Sequence, residues 1–84
     1  MPVPVCDAEL LFRPEDQRLR YLPEGPCACG RNRLSWVAIQ HGPAAKFGSL
    51  NVLDTRTRTN QTIDLAGRPG FAFPTRLPTT WVIG

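Results

Sequence analysis

A chain of 84 residues forms one small domain or part of a larger one, and it buries only about 60 % of its unfolded surface. Its 42 % hydrophobic content is compatible with a folded core. Nine prolines and seven glycines predict many turns, but their share of the chain stays below the level typical of low-complexity sequence, so we expect an ordered chain. The net charge of +3 comes from arginines scattered along the sequence, which favours a mildly cationic surface over a nucleic-acid interface.

Residues 1–21 are expected to form an N-terminal strand or extension. They contain no basic start followed by a long apolar run, so they do not look like a secretion signal. No apolar run in the chain approaches the ~20 residues needed to cross a bilayer, so we expect a cytoplasmic protein without a membrane partner. "AELLF" (8–12) could be one helical turn or a short strand, and "RPEDQ" (13–17) is typical of a turn. The alternation in "RLRYL" (18–22) predicts a half-buried strand.

The stretch "LPEGPCACG" (22–30) holds one carboxylate, Glu24, between prolines. Pro26 restricts the backbone of the preceding Gly25, so this acid would lose little entropy on binding a partner. Cys27 and Cys29 are two residues apart, and in a strand they would point to the same face. Taken by itself, the Pro-Glu-Gly-Pro motif is more typical of an exposed turn with a solvated acid.

Strand patterns then become regular. They fall at 33–40, 49–55, 61–66, 70–75 and 79–84, separated by turn-rich segments. In the segment 49–55, Leu50, Val52 and Asp54 would share one face of the strand. The regular succession of short strands and turn-rich segments predicts an all-β antiparallel meander. Pro26 and Pro69 are 43 residues apart, Trp36 and Trp81 are 45, and a period of about 40–45 residues with four strands is typical of a propeller blade.

The ordered set "EGPCACGRNRLSWVAIQHG", "GSLNVLDTRTRTNQTIDLAGRPGFAFPT" and "TTWVIG" resembles the SMP-30/gluconolactonase/LRE-like family. The resemblance covers residues 22–84 and matches the family's first blade and the start of its second. It implies about one and a half blades of a six-bladed β-propeller. The chain departs from the family pattern in three places: "CAC" follows Pro26 where many members have Trp, Ala38 stands where many have Asp, and the turn "QHGPAAKFG" is longer.

The resemblance also implies a function. Members hydrolyse sugar lactones or related esters with a divalent cation in the central channel, and the Glu of the Glu-Gly-Pro turn is a metal ligand. That position maps onto Glu24, with calcium the expected cation. The other ligands come from later blades. The resemblance therefore implies that the chain is the N-terminal portion of a metal-dependent lactone hydrolase, and that these 84 residues alone are catalytically incomplete.

The other chemically reactive residues favour structural roles. The three cysteines, Cys6, Cys27 and Cys29, are an odd number and include no second pair that could complete a zinc site. Cys27 and Cys29 are therefore expected to face the core rather than bind zinc. His41 has no acid at dyad spacing and is expected in a loop at a strand end. Ser35 in a strand and Ser49 in a turn do not suggest nucleophiles.

Two other functional classes stay open at this point. The chain could be a small non-catalytic β module for protein interaction or oligomerisation, since open sheet edges invite association. A small basic barrel that binds nucleic acid is the weaker alternative, and it would require salt-sensitive binding to single-stranded DNA.

Overall fold

Six short strands form two antiparallel sheets in the computed structural model, which describes residues 10–77 and 80–84. The strands are β1 (Pro23–Gly30), β2 (Arg33–Ala38), β3 (Ser49–Asp54), β4 (Thr59–Asp64), β5 (Ala72–Pro74) and β6 (Trp81–Ile83). The first sheet has the order β1-β2-β3-β4, and β5 pairs with β6 in the second. The expected all-β antiparallel meander is therefore confirmed.

Side-chain alternation divides the first sheet into two faces. The register pairs Trp36 with Asn51 and Asn51 with Thr62, so these three residues share one face, called here the network face. Val37 pairs with Leu50, and these two share the opposite face, called the hairpin face because β5 and β6 cover it.

Each face supports a small core. On the network face, Leu19 packs against Trp36 and Ala38, with Phe12 beside them. On the hairpin face, Val37 and Leu50 pack with Ala72, and the half-buried residues Ile39, Leu65 and Trp81 complete the cluster. The hairpin β5–β6 thus lies against the first sheet because apolar residues of both sheets need cover from water.

The strand predicted at "RLRYL" is wrong, because Gln17–Arg20 form a single 3₁₀ turn. Asp16 caps it: the Asp16 carboxylate accepts the backbone N–H of Arg18 at 3.0 Å, and Leu19 N donates to the Asp16 carbonyl at 3.1 Å. Such local hydrogen bonds compete with a sheet ladder. Arg18 and Arg20 are exposed and Leu19 is buried, as a strand would have them, but Tyr21 is 42 % exposed where strand alternation would bury it beside Leu19.

The strand positions from residue 33 onward are largely confirmed, although β4 begins at Thr59 and β5 and β6 span only three residues each. "AELLF" falls partly outside the described residues, and Leu10–Phe12 adopt no regular structure. Within the described residues, no helix has the length and apolar character that a membrane span requires.

Candidate functional site

Glu24 lies at the second position of β1, which is an edge strand of the four-stranded sheet. The expected Glu-Gly-Pro turn is an irregularity inside this strand, because the pairing with β2 shifts register between Glu24 and Cys27. Gly25 sits there with φ of 63°, a left-handed conformation that glycine adopts without a Cβ penalty. The bulge re-aims the backbone at Glu24, as bulges near sheet edges commonly do.

The Glu24 carboxylate is available to a ligand. Its residue is exposed, and within the described residues it makes no hydrogen bond or ion pair. No group of three or more His, Cys, Asp or Glu side chains in the described part of the chain is placed to hold a metal ion. Glu24 could therefore supply one oxygen ligand to a hard cation such as Ca²⁺, which needs about six to eight.

An open groove of about 410 Å³ runs beside Glu24 on the side of the 3₁₀ turn. Leu11, Phe12, Leu19 and Trp36 are among the apolar residues that line it. Its walls belong largely to the residues that join the N-terminal segment to the sheet. The groove therefore places Glu24 next to an apolar surface rather than among further oxygen ligands.

A chain of polar side chains crosses the network face. Trp36 Nε1 donates to Asn60 Oδ1 at 3.0 Å, and Asn60 Nδ2 donates to Asn51 Oδ1 at 3.0 Å. Thr62 Oγ1 also donates to Asn51 Oδ1, at 2.8 Å. Asn51 Nδ2 in turn donates to Ser49 Oγ at 3.0 Å. Asn51 is fully buried, and its amide group is satisfied on both sides.

His41 extends this chain at the end of β2. Its Nε2 lies 2.8 Å from Ser49 Oγ, and its ring packs edge-on against Phe47 with centroids 5.3 Å apart. His41 Nδ1 is buried and has no hydrogen-bond partner among the described residues. His41 lies in the loop after β2, as expected, but no sequence pattern predicted its hydrogen bond to Ser49.

The His41–Ser49 pair is not arranged for nucleophilic catalysis. Ser49 is the first residue of β3 rather than part of a turn, and it is fully buried, so no substrate can reach its hydroxyl. Among residues 10–77 and 80–84, no carboxylate accepts a hydrogen bond from His41 Nδ1, and a hydrolytic triad would need one to orient the ring. The pair is a structural contact that joins the β2–β3 loop to the sheet.

Cys27 and Cys29 are free thiols in β1. Both are half-buried, whereas the intervening Ala28 and the following Gly30 are exposed, so the burial pattern places the two thiols on one face although β1 is irregular between Ala28 and Gly30. Ser35 Oγ donates to the Cys27 carbonyl at 3.2 Å and ties β1 to β2. Cys6 lies outside the described residues.

Two aspartates of the described surface bond only to residues close to them in sequence. The Arg18 guanidinium donates to Asp16 in an exposed ion pair of 2.8 Å, and the hydrogen bonds from Arg18 lower the pKa of Asp16. Asp54 accepts the backbone N–H groups of Thr57 at 3.1 Å and Arg56 at 2.9 Å, which lowers the pKa of Asp54. Both acids organise turns, so neither is free to act as a catalytic base.

Comparison with known proteins adds no relative, because no family model, no curated protein and no solved structure matches this chain.

Proposed function

We propose that residues 22–84 form the first blade and the start of the second blade of a six-bladed propeller similar to the SMP-30/gluconolactonase/LRE-like family. The chain would then be the N-terminal portion of a divalent-metal-dependent lactone hydrolase. The proposal is supported by one observation above all. Four sequential antiparallel strands in the order β1-β2-β3-β4 are followed by a hairpin that packs on their face. A propeller places successive blades face to face in this way.

Glu24 would face the channel in this arrangement. Successive blades surround a central channel, and the resemblance makes β1 the strand that lines it. An exposed carboxylate that contacts no partner in the described part of the chain suits a ligand position, and the Gly25 bulge and Pro26 restrict its backbone. Glu24 would hold one position in the shell of a divalent cation, with calcium the expected ion. When bound, such a cation supplies a Lewis acid for a lactone carbonyl.

The 84 residues alone would not hydrolyse a sugar lactone. One carboxylate leaves most of the metal shell to water, so the affinity for Ca²⁺ is expected to be no better than about 1 mM. His41 and Ser49 are the two residues that most resemble a hydrolytic pair, and both are buried, so substrate cannot reach them. The residues that bind substrate and complete the shell would come from the remaining blades.

The test compares Glu24→Gln with Glu15→Gln, which neutralises another exposed acid that makes no ion pair in the described residues. In the complete gene product that carries this sequence, we expect hydrolysis of glucono-lactone that requires Ca²⁺ and stops with a chelator. Glu24→Gln should abolish this turnover, and Glu15→Gln should preserve it. Turnover that survives Glu24→Gln, or that needs no metal, would refute the proposal, as would metal-independent turnover by residues 1–84.

A second candidate function is supported by exposed apolar residues around the hairpin. Phe71, Phe73, Val82 and Ile83 are each between 42 % and 48 % exposed, and Phe71 and Phe73 stack at 5.7 Å. A surface of this kind suits a non-catalytic interaction or oligomerisation module. Sedimentation of the 84-residue chain distinguishes the two candidates. Metal-independent assembly that Phe73→Lys abolishes, together with no lactonase activity in any form, would favour the module.

A further inference from the structure

Cys27 and Cys29 form a pair of free thiols on one face of β1. The pairing of β1 with β2 shifts register between Ala28 and Gly30, so Cys29 lies at an irregularity of the strand. Residues two apart in a regular extended strand are separated by about 6.6–6.8 Å, whereas a disulfide needs Cβ atoms only about 3.5–4.5 Å apart. A separation near the regular value favours a bridging ligand over a disulfide.

A single metal ion can span the same distance. Two thiolate–metal bonds of about 2.3 Å each place the sulfurs about 4.6 Å apart when they lie on opposite sides of the ion. Two sulfurs on one face of a strand can reach this separation by rotation about their Cα–Cβ bonds. Such two-coordinate geometry with soft thiolate ligands suits Cu(I) rather than calcium or magnesium.

The surroundings fit a two-ligand site with a net negative charge. In the described residues no third His, Cys, Asp or Glu joins the pair, so the four ligands of a structural zinc site are not assembled there. Two thiolates and one Cu⁺ carry a total charge of −1. The turn that follows β1 provides positive charge, since Arg31 is exposed and the Arg33 guanidinium packs against Gly30. Positive charge on the residues that follow the pair would stabilise such an anionic complex.

We propose that Cys27 and Cys29 form a binding site for one Cu(I) ion. Two S–H bonds break, two S–Cu bonds form, and two protons are released, with no change in the oxidation state of copper or sulfur. Both side chains are only half-buried on an edge strand, so the ion can reach them without unfolding of the sheet. This site is independent of Glu24 and of lactone hydrolysis.

An anaerobic competition titration tests the proposal. The reduced 84-residue chain is mixed with the coloured Cu(I) complex of bathocuproine disulfonate, and loss of colour reports transfer of the metal. We expect one Cu(I) per chain and an ultraviolet thiolate-to-copper band. Because the second thiol acts as an intramolecular ligand, Cys27→Ser or Cys29→Ser should each weaken binding by about 10²–10⁴-fold.

Cys6→Ser is the matched control, since it removes a cysteine outside the pair and should leave affinity and stoichiometry unchanged. Alkylation of the wild-type chain gives a measurement that depends on no variant: Cu(I) should protect Cys27 and Cys29 from iodoacetamide and leave Cys6 reactive. Binding that survives in the Cys27→Ser/Cys29→Ser double variant would overturn the proposal. So would one metal shared between two chains, or an air-formed disulfide that links Cys27 to Cys29.

Discussion

At the scale of single residues, Asn51 is the centre of the buried polar chain. It is fully buried, yet it accepts hydrogen bonds from Asn60 and Thr62 and donates one to Ser49. A buried amide is tolerated only when its hydrogen-bonding groups are paired, because its lost hydration is otherwise uncompensated. The network therefore fixes the register of β3 against β4 more narrowly than apolar contacts alone would.

Asn51→Ala is expected to lower the free energy of unfolding by about 2–4 kcal/mol, since it removes the three side-chain hydrogen bonds of a fully buried amide and leaves a cavity in its place. Urea denaturation followed by circular dichroism measures the change. Gln61→Ala is the control: Gln61 is an exposed neighbour on β4 and should cost no more than about 0.5 kcal/mol. Equal effects of the two substitutions would show that the network does not contribute to stability.

Protonation of Asp54 is expected to account for part of the loss of stability of the fold in acid. Hydrogen bonds from the backbone N–H groups of Thr57 and Arg56 lower the pKa of Asp54 below its ordinary value of 3.8. A carboxyl whose pKa is lower in the folded state stabilises the fold above 3.8, and this stabilisation disappears as the pH falls through the folded-state pKa. Asp54→Asn should therefore destabilise the chain near neutral pH and make its denaturation midpoint less dependent on pH below 3.8.

The same titration with Glu15→Gln provides the comparison, because the Glu15 carboxyl accepts no hydrogen bond from the described residues. An Asp54→Asn variant whose acid limb follows that of the wild type would contradict the role of the Asp54 turn.

At the scale of elements, the connection between β2 and β3 depends on one close backbone contact. Gly48 immediately precedes β3, and a Cβ there would overlap the carbonyl oxygens of Ala38 and Ile39. Gly48 N also donates to the Gly67 carbonyl at 3.0 Å, so the contact continues toward the end of β4. The long turn from residue 41 to 47 therefore returns the chain at a position that only glycine fits.

Gly48→Ala is expected to destabilise the chain by about 3 kcal/mol or more, because the atoms that must move are backbone atoms of a paired strand. Gly67→Ala is the matched control, since a Cβ at Gly67 meets no atom within 4 Å. Its effect should stay within about 0.5 kcal/mol. Thermal unfolding of both variants checks the difference, and a Gly48→Ala protein as stable as Gly67→Ala would show that the strands do not approach this closely.

At the scale of the whole molecule, stability depends on how the hairpin β5–β6 covers the first sheet. Ala72 is buried against Val37 and Leu50, and Trp81 packs beside them. The two apolar clusters on opposite faces of the first sheet are small, so neither alone provides a large core. Docking of the hairpin is therefore expected to be part of the same cooperative folding unit.

Trp81→Ala should lower the free energy of unfolding by about 2–3 kcal/mol, somewhat less than for a fully buried tryptophan. The variant keeps Trp36 as its single tryptophan, so the fluorescence of that residue reports directly on the first sheet. Val82→Ala changes the exposed neighbour on β6 and should have little effect. If circular dichroism gives the wild type the same unfolding midpoint that Trp36 fluorescence gives Trp81→Ala, the hairpin is not coupled to the sheet.

The sequence by itself indicated the strands from residue 33 onward and the exposure of Glu24, because period-2 alternation and turn residues act over only a few positions. It did not reveal the 3₁₀ turn at Gln17–Arg20, because the alternation of Arg18, Leu19 and Arg20 fits a strand as well as a turn capped by Asp16. Whether Glu24 binds a metal stays a prediction from resemblance.

Only the tertiary structure decided which distant side chains meet. Trp36 reaches Asn60 across 24 residues, and His41 reaches Ser49 across eight, through the register of β2, β3 and β4. Local patterns carry no record of that register, since it is set when both faces of the sheet find apolar cover at once. The buried polar chain and the close contact at Gly48 therefore arise from pairing between strands and not from any one segment.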